Sequence, residues 1–370
     1  MLIRCNIYAH KGTVQKVGLS IKKHAQLQME QIQTGQILVC RNVNDKAVTS
    51  LCDTLPAQRK LQSLRLKGCT FTARQFNALL SYLQSSTITE LRVYYQPAGL
   101  QWLENPPVAP FEFLTSLWLD CVVVNANVLS VILAQQLVIL HLSSAGITDT
   151  LVQLIGNNLQ QPTSNITELG LCGNFISDDG VAAFATSTRL RNLCLCGNKI
   201  GDRGIRILTY MLQKNISETI HTLTLSGNTF GLPGLSNLAA ALRQNRTLHR
   251  LVLNKLNITD YGAALLARHL IHNKTLSSLA VNNNVITDAG LLALLKVFSF
   301  ATPLNQLWCN QNQITLAGLE YVEDIWEKIP HLHCLGLASN HFTRIVPNIG
   351  PTKTGRILFL GPLVHDPVGA

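Results

Sequence analysis

Charge is scarce in this 370-residue chain: charged residues make up 14% of it, against 47% hydrophobic residues. That balance excludes an intrinsically disordered chain and supplies a large core. Long apolar runs are missing as well. No stretch approaches the ~20 uninterrupted apolar residues of a membrane helix, so a chain that does not cross a bilayer is expected. The opening residues MLIRCNIYAHKGTVQ lack the apolar segment and small-residue cleavage site of a secretory signal, which points away from Sec export. No disulfide framework is apparent. Cys5, Cys40, Cys52, Cys69, Cys121, Cys172, Cys194, Cys196, Cys309 and Cys334 are scattered, and free thiols fit a reducing cytoplasm. Acidic residues are rare in the first 100 positions, where 13 Lys/Arg face 4 Asp/Glu; the net charge of +10 therefore belongs mostly to the N-terminal quarter.

What the chain does have is self-similarity. LRNLCLCGNKI, from Leu190, carries apolar residues at positions one, four and six, Asn at nine and an apolar residue at eleven. The frame recurs from Leu61, Ile88, Leu114, Leu137, Ile166, Ile220, Leu248, Leu276, Leu304 and Leu332, with a degraded copy near Thr34. From Leu248 onward the starts are 28 residues apart. Such a period means one supersecondary unit per repeat: a strand, a turn and a helix, stacked on the next. Asn174, Asn198, Asn228, Asn284, Asn312 and Asn340 hold position nine, where an amide can satisfy turn backbone that no ladder reaches. Strings such as Thr259-Asp260-Tyr261-Gly262 read as helix starts, with a capping side chain ahead of an apolar run. The sequons at Asn165, Asn245 and Asn273 fall just before successive strands and read as repeat grammar, not as glycan sites.

The 28-residue period and the string Asn198-x-Ile200-x-Asp202-x-Gly204 resemble the ribonuclease-inhibitor-like class of leucine-rich repeats. That resemblance implies an α/β solenoid of about 11–12 repeats, a horseshoe with a parallel sheet inside and helices outside. Residues 34–345 form the repeats. Residues 1–33 read as an N-terminal cap, with a β-hairpin in 1–20 and a helix over Gln26–Ile32. Residues 346–370 read as a C-terminal cap with a last strand near Ile357–Leu360. Pro106, Pro107 and Pro110 exclude a regular helix in 96–113, so that repeat carries an irregular loop, with Trp102 as a candidate partner contact.

Positions three, five and seven face the open side of the sheet. Arg65, Lys67, Arg92, Tyr94, Trp118, Asp120 and His141 collect there in the N-terminal repeats, and Trp308 and Asn310, with Asn305, Gln306 and Gln311, near the other end. Exposed Trp, Tyr and Arg bury much area at little entropic cost, so these are candidate partner-binding residues. Cys194 and Cys196 lie at positions five and seven, and a lone C-x-C supplies too few ligands for zinc, so no metal and no cofactor is expected. No catalytic residue is assigned. Ser143 is near His141 but no acid is evident to orient the imidazole, and no glycine loop cradles phosphate.

The expected function is a protein–protein interaction scaffold, a monomer whose concave, basic N-terminal half binds an acidic or phosphorylated partner. A regulator of a small GTPase and a fragment of a cytosolic repeat sensor are the alternatives. Nucleic-acid binding is disfavoured, since Lys22, Lys23, Arg59, Lys60 and Arg74 fall on cap or helix positions pointing several ways. The standalone repeats, rich in Gln and Asn, are also similar to effectors that intracellular bacteria deliver into host cells by a non-Sec route.

Overall fold

Leucines at positions four and six of each frame sit two residues apart on an extended chain, so they leave the strand on one face while three, five and seven leave it on the other. The computed structural model describes residues 29–32, 37–41, 61–68, 72–84, 86–94, 100–101, 111–185, 187–213, 220–342 and 357–359. It divides into two units, one of Ala9–Phe175 and one taking in Ile176–Ala370. The hairpin expected in 1–20 and the candidate contact Trp102 lie outside the described residues.

In the first unit, β1 (Met29–Ile32) runs antiparallel to β2 (Ile37–Arg41). Parallel strands then follow in order: β3 (Ser63–Lys67), β4 (Glu90–Tyr94), β6 (Ser116–Asp120), β8 (Ile139–Ser143) and β9 (Glu168–Gly170). Between them lie α1 (Ala73–Gln84), α2 (Ala126–Leu133) and α3 (Asp149–Leu159). The irregular loop contributes β5 (Leu100–Gln101), paired in parallel with β7 (Val122–Val123). The helix expected over Gln26–Ile32 is instead the strand β1 over Met29–Ile32. An edge strand such as β2 leaves a row of N–H and C=O groups unpaired, and β1 satisfies them.

The second unit begins with α4 (Asp178–Val181) and then alternates. Its parallel strands are β10 (Asn192–Cys194), β11 (Thr222–Thr224), β12 (Arg250–Val252), β13 (Ser278–Ala280), β14 (Gln306–Trp308), β15 (Cys334–Gly336) and β16 (Ile357–Phe359). Its helices are α5 (Asp202–Gln213), α6 (Leu232–Gln244), α7 (Asp260–Leu270), α8 (Asp288–Leu295) and α9 (Leu316–Ile325). The core is the seam between strands and helices, where Leu193, Leu195, Leu223, Leu225, Leu251 and Leu253 are buried. The fold is an α/β leucine-rich-repeat solenoid.

The turn after each strand has a fixed construction. Position eight is left-handed wherever it is described: Gly197 at φ 63° and Gly227 at 63°, but also Lys255 at 57°, Asn283 at 53° and Gln311 at 55°. That turn aims the position-eight N–H at the next repeat, as Lys255 N does at Asn282 O over 3.1 Å and Asn283 N at Asn310 O over 2.8 Å. Position nine then braces the turn. Asn284 Nδ2 donates to the carbonyls of Leu253, Val281 and Asn282, while its Oδ1 accepts from Leu256 N and Ile258 N. Asn174 does the same for Leu142, Leu171, Cys172, Ala145 and Ile147.

Helix starts depart from the expected capping. Thr259, Thr287 and Thr315 occupy the N-cap position without capping their own helices. The acceptor comes from the preceding helix. Asp260 Oδ1 takes the N–H groups of Thr287 (2.7 Å) and Gly290 (3.0 Å), and Oδ2 takes the Thr287 hydroxyl (2.6 Å). Asp202 serves Gly231 and Gly234 in the same way, and Asp288 serves Thr315. A Cβ on Gly290 would collide with Asp260 Oδ1, which is why the helix start reads Asp-x-Gly. Each carboxylate thus satisfies orphan donors and the positive helix end of its neighbour.

Candidate functional site

In the Ala9–Phe175 unit, the parallel register sets the position-five residues side by side: Arg65, Arg92, Trp118, His141 and Gly170. The last has no side chain, and the His141 imidazole fills that space; a Cβ on Gly170 would overlap Nδ1. Trp118 stacks on His141, with ring centroids 3.5 Å apart and planes 16° from parallel. The Arg92 guanidinium lies 4.3 Å from the centre of the Trp118 ring, within cation–π range. The result is a pile of planar groups lying across the strands, closed at Gly170 and open at Arg65.

Position three supplies the counter-charges. Glu90 accepts from Arg65 Nε (3.0 Å), Arg92 Nη2 (2.7 Å) and the Ser63 hydroxyl (2.6 Å). Burial pushes its carboxyl up, but the hydrogen bonds from Arg92 and Ser63 and the charges of both arginines outweigh that, and its pKa falls below the ordinary carboxylate value. Glu168 lies 2.8 Å from His141 Nε2. Trp118 Nε1 donates to Ser116 Oγ at 2.9 Å, and Arg92 Nη1 reaches Tyr94 Oη at 3.3 Å. At position seven, burial raises the Asp120 carboxyl above its usual range. The adjacent Cys121 thiol, 3.6 Å from Asp120, is pushed up to about 11 by burial and that carboxylate.

Two expectations are corrected here. Trp118 and Trp308, taken as exposed anchors, are each 5% exposed, and Asn310 is 1% exposed. The cause is the residue one repeat on: His141 leans over Gly170 and Trp308 over Gly336, whose added Cβ would stand 2.6 Å from Trp308 Cε3. Bare glycine lets a large planar group lie flat against the sheet instead of standing into solvent. The imidazole of His141 also has an acid to orient it, Glu168, which the sequence reading overlooked. Among the described residues no hydrogen bond joins Ser143 to His141, so the pair does not form a nucleophile and base.

At the other end, Trp308 packs with Val252 and Ala280, and Cys334 lies against them. Asn310 belongs to a second polar ladder, at position seven. Asn254 N donates to Ser226 Oγ (3.1 Å), Asn282 N to Asn254 Oδ1 (2.8 Å), Asn310 N to Asn282 Oδ1 (2.9 Å) and Ala338 N to Asn310 Oδ1 (2.8 Å). Asn305 and Gln306 stay half-buried, and exposed Gln311 accepts from Asn283. Of the nominated residues, Lys67 is exposed and Arg65, Arg92, Tyr94, Asp120 and His141 are half-buried; the Arg65 side chain, at 28%, is more exposed than those of Arg92 (14%) and His141 (12%), and Lys67 and Tyr94 are register partners on the adjacent strands. Among the described residues, no helix is long and apolar enough to cross a membrane.

A sequence profile described as a leucine rich repeat matches residues 272–295. No curated protein matches the chain. Among solved structures, it is similar to leiomodin-1 actin-binding site 2, at 25% identity and a TM-score of 0.28 over 30% of this chain and 63% of that one, less than two thirds of its length. It is also similar to an internalin of Listeria monocytogenes, at 20% identity and a TM-score of 0.46, covering 90% of this chain and 88% of that one.

Proposed function

We propose that this leucine-rich-repeat protein is a binding scaffold whose Ala9–Phe175 unit receives an acidic group of a partner protein beside Arg65, Lys67 and Tyr94. The observation that carries this is the supported guanidinium at the open end of the stack. Glu90 engages only Nε of Arg65; among the described residues its two terminal nitrogens have no hydrogen-bond partner. A planar fork held at one nitrogen and free at two is suited to a carboxylate or phosphate. Arg92, Trp118 and His141 then act as the support that fixes the fork, not as contacts themselves. Since Glu90 offsets part of the local charge, the attraction comes from Arg65 and Lys67 together with the basic surplus of the first 100 residues. A delivered effector would engage a host protein with this face; regulation of a small GTPase and a fragment of a cytosolic repeat sensor are the alternative readings.

Capture from eukaryotic lysate tests the reading, comparing the wild type with Arg65→Glu/Lys67→Glu. Because Arg65→Glu also breaks the pair with Glu90, Lys67→Glu alone is compared beside it, and that substitution touches neither Glu90 nor the stacked rings. At least one protein held by the wild type is expected to be lost. An unchanged set of captured proteins overturns the assignment to this face. Recovery of nucleic acid alone, released by moderate salt, contradicts a protein partner.

A further inference from the structure

The geometry points to a small-molecule site on the second unit, in a pocket of about 480 Å³ between the repeats that start at Ile220 and Leu248. Its chemistry suits a carboxylic acid with a compact apolar body. The volume falls within the range of ligand pockets, about 300–1,000 Å³. Phe230, Leu232, Leu235, Leu256, Ile258 and Tyr261 form its walls. Leu232 and Tyr261 are 46% and 68% exposed, so the rim is apolar as well.

Two departures from the repeat frame make this pocket, and each leaves a donor in it. The first is Leu256, at position nine, where the flanking repeats carry Asn. Elsewhere in this unit the position-eleven N–H donates to the Asn of the following repeat, as Ile200 does to Asn228, Ile258 to Asn284 and Ile286 to Asn312. Phe230 holds position eleven ahead of Leu256 and is 4% exposed; among the described residues its N–H has no hydrogen-bond partner. Native folds seldom leave a buried N–H in that state. The second departure is Leu232, at position thirteen, where Asp202, Asp260 and Asp288 reach the next helix start. Thr259 and Gly262 correspond to Thr287 and Gly290 but have no such carboxylate beside them. A Cβ on Gly262 would meet methyl groups of Ile258 and Leu235, where one on Gly290 meets Asp260. Phe230, Thr259 and Gly262 all line the pocket, so unpaired N–H groups converge there from two separate segments. An acceptor brought in with an apolar body satisfies both the donors and the walls. A carboxylate is favoured over a neutral acceptor because it also meets the positive end of α7, while Asp202 and Asp260 are engaged with donors of their own.

The test titrates the full chain with phenylacetate and follows backbone amide signals by NMR, residue by residue. Saturable shifts at Phe230, Thr259 and Gly262 are expected. Phenylacetamide keeps the ring without the charge, and acetate keeps the charge without the ring. Each is expected to bind roughly tenfold more weakly, the factor that one charge-assisted hydrogen bond or a buried ring readily supplies. Leu232→Asp provides from within the acceptor that the neighbouring repeats possess. It is expected to raise the urea midpoint and to abolish the phenylacetate shifts. No saturable shift at the three amides, equal binding of phenylacetamide, or phenylacetate binding unchanged in Leu232→Asp overturns the site. A urea midpoint lowered by Leu232→Asp overturns it too, because no donor would then be waiting for an acceptor.

Discussion

A single missing Cβ decides how the candidate face is built. Gly170 gives the His141 ring somewhere to lie, and that ring carries Trp118, which carries Arg92. Replacing Gly170 by Ala forces the imidazole off the sheet and away from Glu168. Overpacking of this kind costs about 1–3 kcal/mol, read as a lower urea midpoint, and the account expects binding through Arg65 to weaken in parallel. Glu90 sets a pH dependence. Its carboxyl titrates below the ordinary range when folded, so its contribution is complete above the unfolded value and disappears as pH falls through the folded one. Wild type is expected to exceed Glu90→Gln in stability near neutrality, with the gap closing below about pH 4; a gap that is constant with pH would remove the ion-pair explanation. The asparagines of position nine were legible because they recur in frame. The burial of Trp118 and Trp308 was not read, although its signal was present: Gly336 stands one period after Trp308, and Gly170 one repeat after His141. Glu90 and Glu168 were missed because position three carries no regular residue type and only the strand register places it beside position five.

Elements in this fold are tied to their neighbours more than to themselves. Asn284 joins turns across two repeats, and its removal leaves two N–H groups and three carbonyls in need of partners. Each buried unsatisfied group costs about 1–3 kcal/mol, and partial relaxation brings the expected loss for Asn284→Ala to about 3–4 kcal/mol by urea unfolding. Asp260→Ala removes the cap of α8 from outside that helix. A loss of about 1–2 kcal/mol is expected, whereas Thr287→Val, which keeps the backbone donors bonded to Asp260, should cost less. An equal or larger effect at Thr287 would show that the helix is capped by its own residue. The strands, helices and turns followed from apolar spacing and the 28-residue period. The direction of capping did not, because Thr-Asp-x-Gly is compatible with either a local or an inter-repeat acceptor and only the helix-to-helix distance decides. The strand at Met29–Ile32 escaped for a related reason: its pairing is dictated by the open edge of β2, not by its own residues.

For the whole molecule, the repeats explain why most of the described residues serve the seam and the turns, which leaves side chains of the open sheet face for the proposed binding. Composition located the basic surplus in the first 100 residues, and the fold places Arg65, Lys67 and Tyr94 from that stretch on the adjacent strands β3 and β4. Charge alone did not reveal that Glu90 is paired with two of those cations, Arg65 and Arg92. The most direct measurement installs a photo-crosslinking residue at Lys67, at Tyr94 and, as a control, at the exposed helix position Tyr321, and illuminates each protein in eukaryotic lysate. A common protein adduct at Lys67 and Tyr94, absent at Tyr321, is the predicted result. Adducts no stronger at Lys67 and Tyr94 than at Tyr321 would contradict a partner docked on this face.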